Sequence, residues 1–599
     1  MTGKHEGAQP SKGTRNLSSP EDKPPMAATK AQTGRPPPEK PETTRIKFLA
    51  MLSFWAVIVF LGLPMWWKTT SIYRARLPLE EMSDWADGKA CRPVFPLQIL
   101  VRAPSIPDPE AQHLIRTTQH AIDDLNDFSA HHLRLSLVES LGGPTADESD
   151  LGISGQDVAL NLKLLPQENA AAPSSELHQY SPGLDIFYPS SQVPSTSSSN
   201  SPLASFIASE LQNLFNEEQA TLAYILSSGN VVGPSIQPSI SGGQPSQNAQ
   251  ASHGGNREQR STVMKSVDPQ LAEDIAQRLT RSFKYAETYH LTFSLFTPGA
   301  DPSSWDIEAA LQEYMSPLLD AFSTISNFSV DTQVQLYAAF SPTTPLPEYN
   351  EEKAAWYLKK EDLSAFINAA EWPLSPSIGS GPTINFVLYV PSPSQSPLLI
   401  SESHSTSWLI PQWGGVMILN QPNSPNNENP THLPKESLLP ALSTFSHQLL
   451  TLIGVPTTPP SLPLRLHSLL RTHTATLLLS SSSTMGSLAR LTNSLPSIPI
   501  PLTVADSVSS TLAHLSSACS LLRDGRFVDA LASARVAEAQ AERSFFEKSM
   551  VGQVYFPDEH KVAVYLPLLG PIGVPLLMCL IKEVKRVVGE WRARRAVGK

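Results

Sequence analysis

Two stretches of twenty residues carry no charged side chain. Residues 48–67 read FLAMLSFWAVIVFLGLPMWW, and residues 562–581 read VAVYLPLLGPIGVPLLMCLI. About 20 apolar residues, rising ~1.5 Å each, cover a ~30 Å hydrocarbon core, so both are predicted to span a membrane. The first helix is placed at 46–67 and the second at 562–581. Trp66, Trp67 and Lys68 form an interfacial anchor after the first, and Lys582, Lys585 and Arg586 follow the second. A cleaved signal peptide fits the first poorly, because 47 residues precede it. A buried core helix is the bland alternative for the second.

Charge orients the pair. Residues 1–47 carry nine basic and five acidic side chains, and residues 582–599 carry seven and two. The whole chain has a formal charge of −11, so residues 68–561 hold −20 against tails of +4 and +5. Basic flanks stay on the cytosolic side, which predicts two cytosolic termini and one large acidic domain across the membrane. That balance excludes bulk nucleic-acid binding. Asn327-Phe328-Ser329 is the single N-glycosylation sequon between the two apolar runs and agrees with a secretory-pathway lumen. Three cysteines in 599 residues exclude a disulfide scaffold. Cys579 falls inside the second run. Cys91 and Cys519 remain on the lumenal side, where a disulfide between them is open but not derivable from sequence.

The low charged fraction (17%) and 55 prolines, nearly twice the usual ~5%, point to long irregular loops between ordered segments. Residues 1–45 are Pro-, Lys- and Ser-rich and are predicted to be a disordered cytosolic tail; residues 582–599 form a basic one. Residues 68–505 mix strand and helix patterns. Alternation predicts strands at 97–101, 133–138, 158–164, 291–296, 334–340, 384–390 and 416–419. Three- and four-residue apolar steps predict helices at 109–128, 203–218, 306–322, 362–370 and 437–453. The fold class is therefore two transmembrane helices flanking a large lumenal α/β or α+β domain. Ser/Pro-rich insertions at 170–201, 234–268, 392–405 and 421–434 are read as surface loops. An Ala-rich stretch at 506–550, broken by Arg523-Asp524-Gly525-Arg526, is predicted to be a membrane-proximal helical hairpin. No 20–50-residue period suggests a solenoid.

Catalytic patterns are missing. No HExxH, paired CxxC, Gly-x-Ser-x-Gly or GxxxxGK[ST] occurs, and no catalytic, cofactor-binding or metal residue is assigned. His131 and His132 would point to opposite faces of a strand, and a strand end or solvated turn suits them better than a metal. Cys91 and Cys519 read as structural. Asp123, Asp124 and Asp127 read as a solvated helix end, and Trp413-Gly414-Gly415 as a turn into a strand with Trp413 in the core. In the second apolar run, Pro567, Pro571 and Pro575 recur every four residues, while Gly570 and Gly573 would admit a neighbouring helix. That surface is read as membrane-helix packing against a partner, the alternative being a kinked helix in lipid alone.

Residues 61–78 (LGLPMWWKTTSIYRARLP), 284–296 (KYAETYHLTFSLF), 325–338 (ISNFSVDTQVQLYA) and 411–420 (PQWGGVMILN) resemble the PIG-S family of glycosylphosphatidylinositol (GPI) transamidase subunits. The strongest resemblance is at 534–584, containing AERSFFEKSM and VYFPDEHKVAVYLPLLGPIGVPLLMCLIKEV. It extends over about 48–584 and is poor in the Ser/Pro insertions. It implies a non-catalytic structural subunit in the endoplasmic-reticulum membrane, supporting attachment of GPI to the C-terminus of proproteins. Thiol catalysis is then expected in PIG-K, with PIG-T, PIG-U and the GPI-attachment subunit as further partners, besides membrane lipid and, less directly, proprotein or GPI lipid. No cofactor is implied. The basic segment after 581 is unlike a GPI-attachment signal, which ends in its apolar tail. Two other readings remain: a lumenal hydrolase or transferase with a dispersed site, and a stand-alone lumenal adaptor.

Overall fold

The computed structural model describes residues 41–70, 73–138, 157–167, 171–196, 201–228, 269–338, 345–359, 363, 381–421, 429–495, 498–550 and 558–597. The chain divides into two units, Met1–Ser71 with Glu559–Lys599, and Ile72–Asp558. In the first unit, α1 (Pro41–Val57) passes through a π-helical turn (Ile58–Gly62) into α2 (Leu63–Thr70). Within it Arg45–Met65 is long and apolar enough to cross a membrane. Phe54, Phe60 and Leu61 lie exposed there, as lipid-facing side chains would.

The second unit starts with α3 (Leu79–Ala86), β1 (Phe95–Arg102), α4 (Asp108–Leu125), β2 (His131–Leu137), β3 (Val158–Pro166), β4 (Ser174–Leu177), β5 (Gly183–Tyr188) and α5 (Pro202–Ser228). Helix α4 shows the local logic. Pro109 stands in its first turn with Asp108 and Glu110, which suit the positive end of a helix dipole. Ala111, Leu114, Thr118 and Ile122 then bury one face. The five strands form a sheet of order β2-β1-β3-β5-β4, parallel except for β4.

There follow α6 (Pro269–Arg281), β6 (Thr288–Phe296), β7 (Ser304–Trp305), α7 (Ile307–Tyr314), α8 (Ser316–Ala321) and β8 (Asn327–Gln335). Next come β9 (Glu348–Asn350), β10 (Ala355–Leu358), β11 (Thr383–Tyr389), β12 (Leu398–Ile400), β13 (Ser407–Ile410), β14 (Gly414–Ile418), β15 (His432–Leu433) and α9 (Lys435–Ile453). The second sheet runs β13-β14-β11-β6-β8, parallel except for β13. Its central strands are buried on both faces, as in a covered parallel sheet, with Thr292 and Ser294 of β6 among the buried residues. Phe293, Phe386 and Phe445 join β6, β11 and α9, with ring centroids 5.2 Å apart for the first two and 5.0 Å for the last two.

The two sheets have one topology. Replacing β1, β2, β3, β4 and β5 by β6, β8, β11, β13 and β14 reproduces the strand order, every parallel pairing and the antiparallel hairpin at one edge. In both, a helical crossover joins the first two strands and a long helix follows the last. The second copy carries β9, β10 and β12 as an inserted three-stranded sheet, whose Leu358, Leu398 and Ile400 pack with Phe296, Val387 and Tyr389 in a separate core.

A helical layer completes the unit: α10 (Leu462–Ser494), α11 (Leu502–Arg523) and α12 (Phe527–Phe545). Asp524 and Gly525, the latter at φ +73°, make the turn between the last two. Phe95 of β1 stacks on Phe527 of α12, centroids 6.4 Å apart, so the first sheet shares its core with the helices. In the first unit, α13 (Asp558–Val597) is one continuous helix carrying Pro567, Pro571 and Pro575.

Several sequence-based expectations are corrected. The stretch 170–201 is not a surface loop, since it contains β4 and β5, and Leu184, Ile186 and Tyr188 are buried. The apolar run Leu-Asp-Ile-Phe-Tyr is short, and its Ser/Pro flanks conceal it. Residues 392–405 likewise include β12 with buried Leu398 and Ile400, and 421–434 include β15 with buried Leu433. The strand placed at 334–340 begins earlier, at Asn327, and ends at Gln335. The helix at 306–322 is split at Met315, before Pro317. Helices α3, α6 and α10 were not anticipated. The insertion at 234–268, and the helix at 362–370 except for Leu363, lie outside the described residues.

Candidate functional site

Among the described residues, buried charge gathers around two adjacent glutamates on α5. Neighbouring helix positions point about 100° apart, so Glu217 and Glu218 meet different partners. Glu218 receives Arg471 of α10, Nε to Oε1 at 2.6 Å and Nη2 to Oε2 at 2.7 Å, and His131 Nε2 stands 3.6 Å from Oε1. Burial pushes this carboxyl up, but the guanidinium and then His131 outweigh it and hold it well below the usual carboxylate range. Glu217 is also raised by burial and lowered further by the Thr458 hydroxyl and amide and by Arg278 of α6, for a net depression. The Arg471 guanidinium lies 5.3 Å from the Phe527 ring centre. The junction thus ties α5, α6, β2, α10 and α12 together. It is largely buried, and His131 Nε2 and Arg278 Nε have no hydrogen-bond partner among the described residues.

Sequence reasoning missed this junction. A signal was present: two consecutive carboxylates in the middle of a helical stretch, 203–225, whose only other charged residue is Glu210. His131 was read as a strand end or solvated turn; it does open β2, but it is buried against Glu218, while His132 is half-buried. Asp123, Asp124 and Asp127 are exposed at the end of α4. Trp413 is half-buried in the turn between β13 and β14 and packs on the second core.

Asn327 is exposed at the start of β8, an edge strand. Phe328 turns inward, its ring centre 5.9 Å from that of Tyr289, and the Ser329 hydroxyl bonds His290 Nδ1. Cys91 and Cys519 are joined in a disulfide with Cα atoms 6.3 Å apart, so neither offers a thiolate. On α13, Pro567, Pro571, Gly573 and Pro575 are exposed and Gly570 is half-buried. A Cβ built at Gly570 or Gly573 meets no atom within 4 Å among the described residues. Among the described residues, no three His, Cys, Asp or Glu side chains gather in metal-holding geometry.

Residues 53–590 match the profile of the PIG-S family, phosphatidylinositol-glycan biosynthesis class S protein. The GPI-anchor transamidase component PIGS of Homo sapiens is 28% identical over 576 residues, 91% of this chain and 96% of its own. That of Bos taurus is 28% identical over 578 residues, with the same coverage. The GPI transamidase component PIG-S homolog of Schizosaccharomyces pombe is 29% identical over 582 residues, 93% of this chain and 87% of its own. A match of this extent, running through both sheets and all three helices of the helical layer, places the chain in the PIG-S family.

Proposed function

We propose that this chain is a non-catalytic structural subunit of the GPI transamidase, supporting attachment of GPI to the C-terminus of proproteins. The observation that carries the reading is the near full-length match to relatives named as GPI transamidase components. Catalysis is assigned to another subunit, PIG-K, and the remaining partners are PIG-T, PIG-U and the GPI-attachment subunit. Two features support an accessory role: the disulfide that occupies Cys91 and Cys519, and a buried ionic junction devoted to holding helices together. The location is the endoplasmic-reticulum membrane. The chain crosses it twice, by Arg45–Met65 and by residues 562–581 within α13, with both basic tails cytosolic and the unit Ile72–Asp558 lumenal. Exposed Asn327 is then available for glycosylation.

The test is complementation in cells whose own PIG-S-family subunit has been deleted. Expression of this chain should restore surface display of a GPI-anchored reporter, and a tag on it should recover the other transamidase subunits from mild detergent. Recovery of the chain alone, at its own mass, would favour a stand-alone adaptor. In the same cells Asn327→Gln should increase gel mobility by one glycan. Cleavage of an N-terminal tag by protease only after vesicles are opened would reverse the orientation.

A further inference from the structure

Residues near the start and near the end of the unit Ile72–Asp558 share one apolar surface. Tyr73 at its start and Ser549 near its end line the same cavity of about 440 Å³, together with Pro499, Pro501 and Leu502. This start is not a loose end. Ile500 N donates to Tyr73 O at 3.1 Å, Ala75 N donates to Ile500 O at 2.9 Å, and Arg74 donates to the carbonyls of Thr492 and Leu495 at the end of α10. At the other end Met550 is buried. On this pinned backbone, large apolar side chains stand in the open. Tyr73 is 60% exposed, Leu502 at the first position of α11 is 61% exposed, and Phe546, just past α12, is 65% exposed. Exposed apolar patches on rigid supports mark contacts.

Chain connectivity identifies what covers this one. Tyr73 follows Met65, the last residue of the apolar helical segment, by eight positions, a reach of at most ~28 Å even if fully extended. Ser549 precedes Val562, the first residue of the second apolar run, by thirteen positions. Both apolar runs are thus joined in sequence to residues that line this one cavity. A tyrosine, a phenylalanine and a leucine flanked by two prolines suit the headgroup layer, where an aromatic body meets apolar chains and a hydroxyl meets water.

We propose that Tyr73, Pro499, Pro501, Leu502 and Phe546 form a lipid-facing platform that beds into the interfacial layer of the bilayer. This rests on the two-span reading given above, and the test separates the two. Full-length protein lacking its free cysteine (Cys579→Ser) is reconstituted in phosphatidylcholine–phosphatidylethanolamine vesicles. Nitroxide labels are placed singly at Leu502→Cys, Phe546→Cys, Val574→Cys and Tyr180→Cys, the last being 88% exposed and an aqueous control. Relaxation by oxygen, which partitions into lipid, is compared with relaxation by a water-soluble nickel chelate. The labels at 502 and 546 should show an oxygen-to-nickel ratio several-fold above that at 180 and below that at 574. A lipid-like ratio at 574 with aqueous ratios at 502 and 546 would overturn the platform and leave two spans. Aqueous 574 with lipid-like 502 and 546 would overturn the second span and support the platform. Labels that are aqueous in vesicles and shielded only when the other transamidase subunits are present would assign the patch to a protein, again overturning the proposal.

Discussion

Arg471 grips Glu218 through two parallel hydrogen bonds, with side-chain exposures of 3% and 4%. Such a pair is costly to break from one side, because the remaining charge stays buried and unpaired. Arg471→Met should therefore lower stability by about 3–5 kcal/mol, read as a fall in thermal midpoint of the full chain in detergent. The double variant Glu218→Leu with Arg471→Met should recover most of the loss. A double variant as unstable as the sum of its singles would show that the pair is not coupled.

Acid should weaken the fold through buried histidine. His473 is buried against the Tyr285 ring, with centroids 5.0 Å apart, and its Nε2 has no hydrogen-bond partner among the described residues. Burial, helped by Arg535, lowers its pKa from 6.5 to about 4. Between those values the unfolded chain holds a proton that the folded one lacks. The stability is thus intact above pH 6.5 and is lost on acidification, at up to about 1.4 kcal/mol per pH unit. Burial, then Arg471, lowers His467 to about 4 as well, so unfolding midpoints from pH 7.5 to 5 should carry both contributions and His473→Phe should remove about half of the slope. An equal slope in the variant would assign the loss to other groups.

Removing the disulfide should cost stability but not chemistry. Cys91→Ser or Cys519→Ser is expected to destabilise by about 2–5 kcal/mol. Either change should abolish the mobility difference between reduced and non-reduced gels. GPI attachment, measured at matched expression, should stay largely intact. Loss of turnover in a fully assembled complex would reveal an active thiol.

Gly414 and Gly415 should respond differently to alanine. A Cβ at Gly414, where φ is +156°, would lie 1.8 Å from the backbone carbonyl oxygen of Asn385 on the neighbouring strand. At Gly415 the obstacle is the Gln448 side-chain oxygen, also at 1.8 Å, which can swing away. Gly414→Ala should cost about 3 kcal/mol or more by forcing β14 from β11. Gly415→Ala should cost about 1 kcal/mol, through the Gln448–Trp408 hydrogen bond of 2.9 Å. Equal thermal shifts would contradict this ranking.

On α13, a Cβ at Gly570 or Gly573 meets no atom within 4 Å among the described residues, and leucine at both should leave membrane insertion unchanged. Co-purification with the other membrane subunits should fall, because close helix approach is lost. Exchange of 562–581 for a plain Leu/Ala helix should have a larger effect, since the three prolines go as well. Undiminished subunit recovery in both would mean that this surface faces only lipid.

The central strands β1, β3, β6, β11 and β14 were legible because a strand in a covered sheet concentrates apolar residues in short runs. Strand β5 was hidden by its Ser/Pro surroundings, and α10 by its own composition. Thr474, Ser481 and Ser482 are buried in that helix, each returning its hydroxyl to the carbonyl four residues back. Polar residues that satisfy themselves in this way look like loop in a sequence and behave as core. The repeated topology was illegible for another reason: β1 and β6 begin at Phe95 and Thr288, and the second copy is interrupted by four extra strands, β7, β9, β10 and β12. The adjacent carboxylates at 217 and 218 were visible, but their pairing was not, because Glu218 and Arg471 are 253 positions apart.

The link between Cys91 and Cys519 also sets a schedule. The two cysteines are 428 residues apart, and at ~5–20 residues per second about 20–90 s of synthesis separates them. Over the same interval Phe95 waits for Phe527. The first sheet therefore emerges from the ribosome long before the helices that cover it, with an unpaired thiol beside its first strand. Neither the Cys91–Cys519 bond nor the Phe95–Phe527 contact can close until translation has nearly finished.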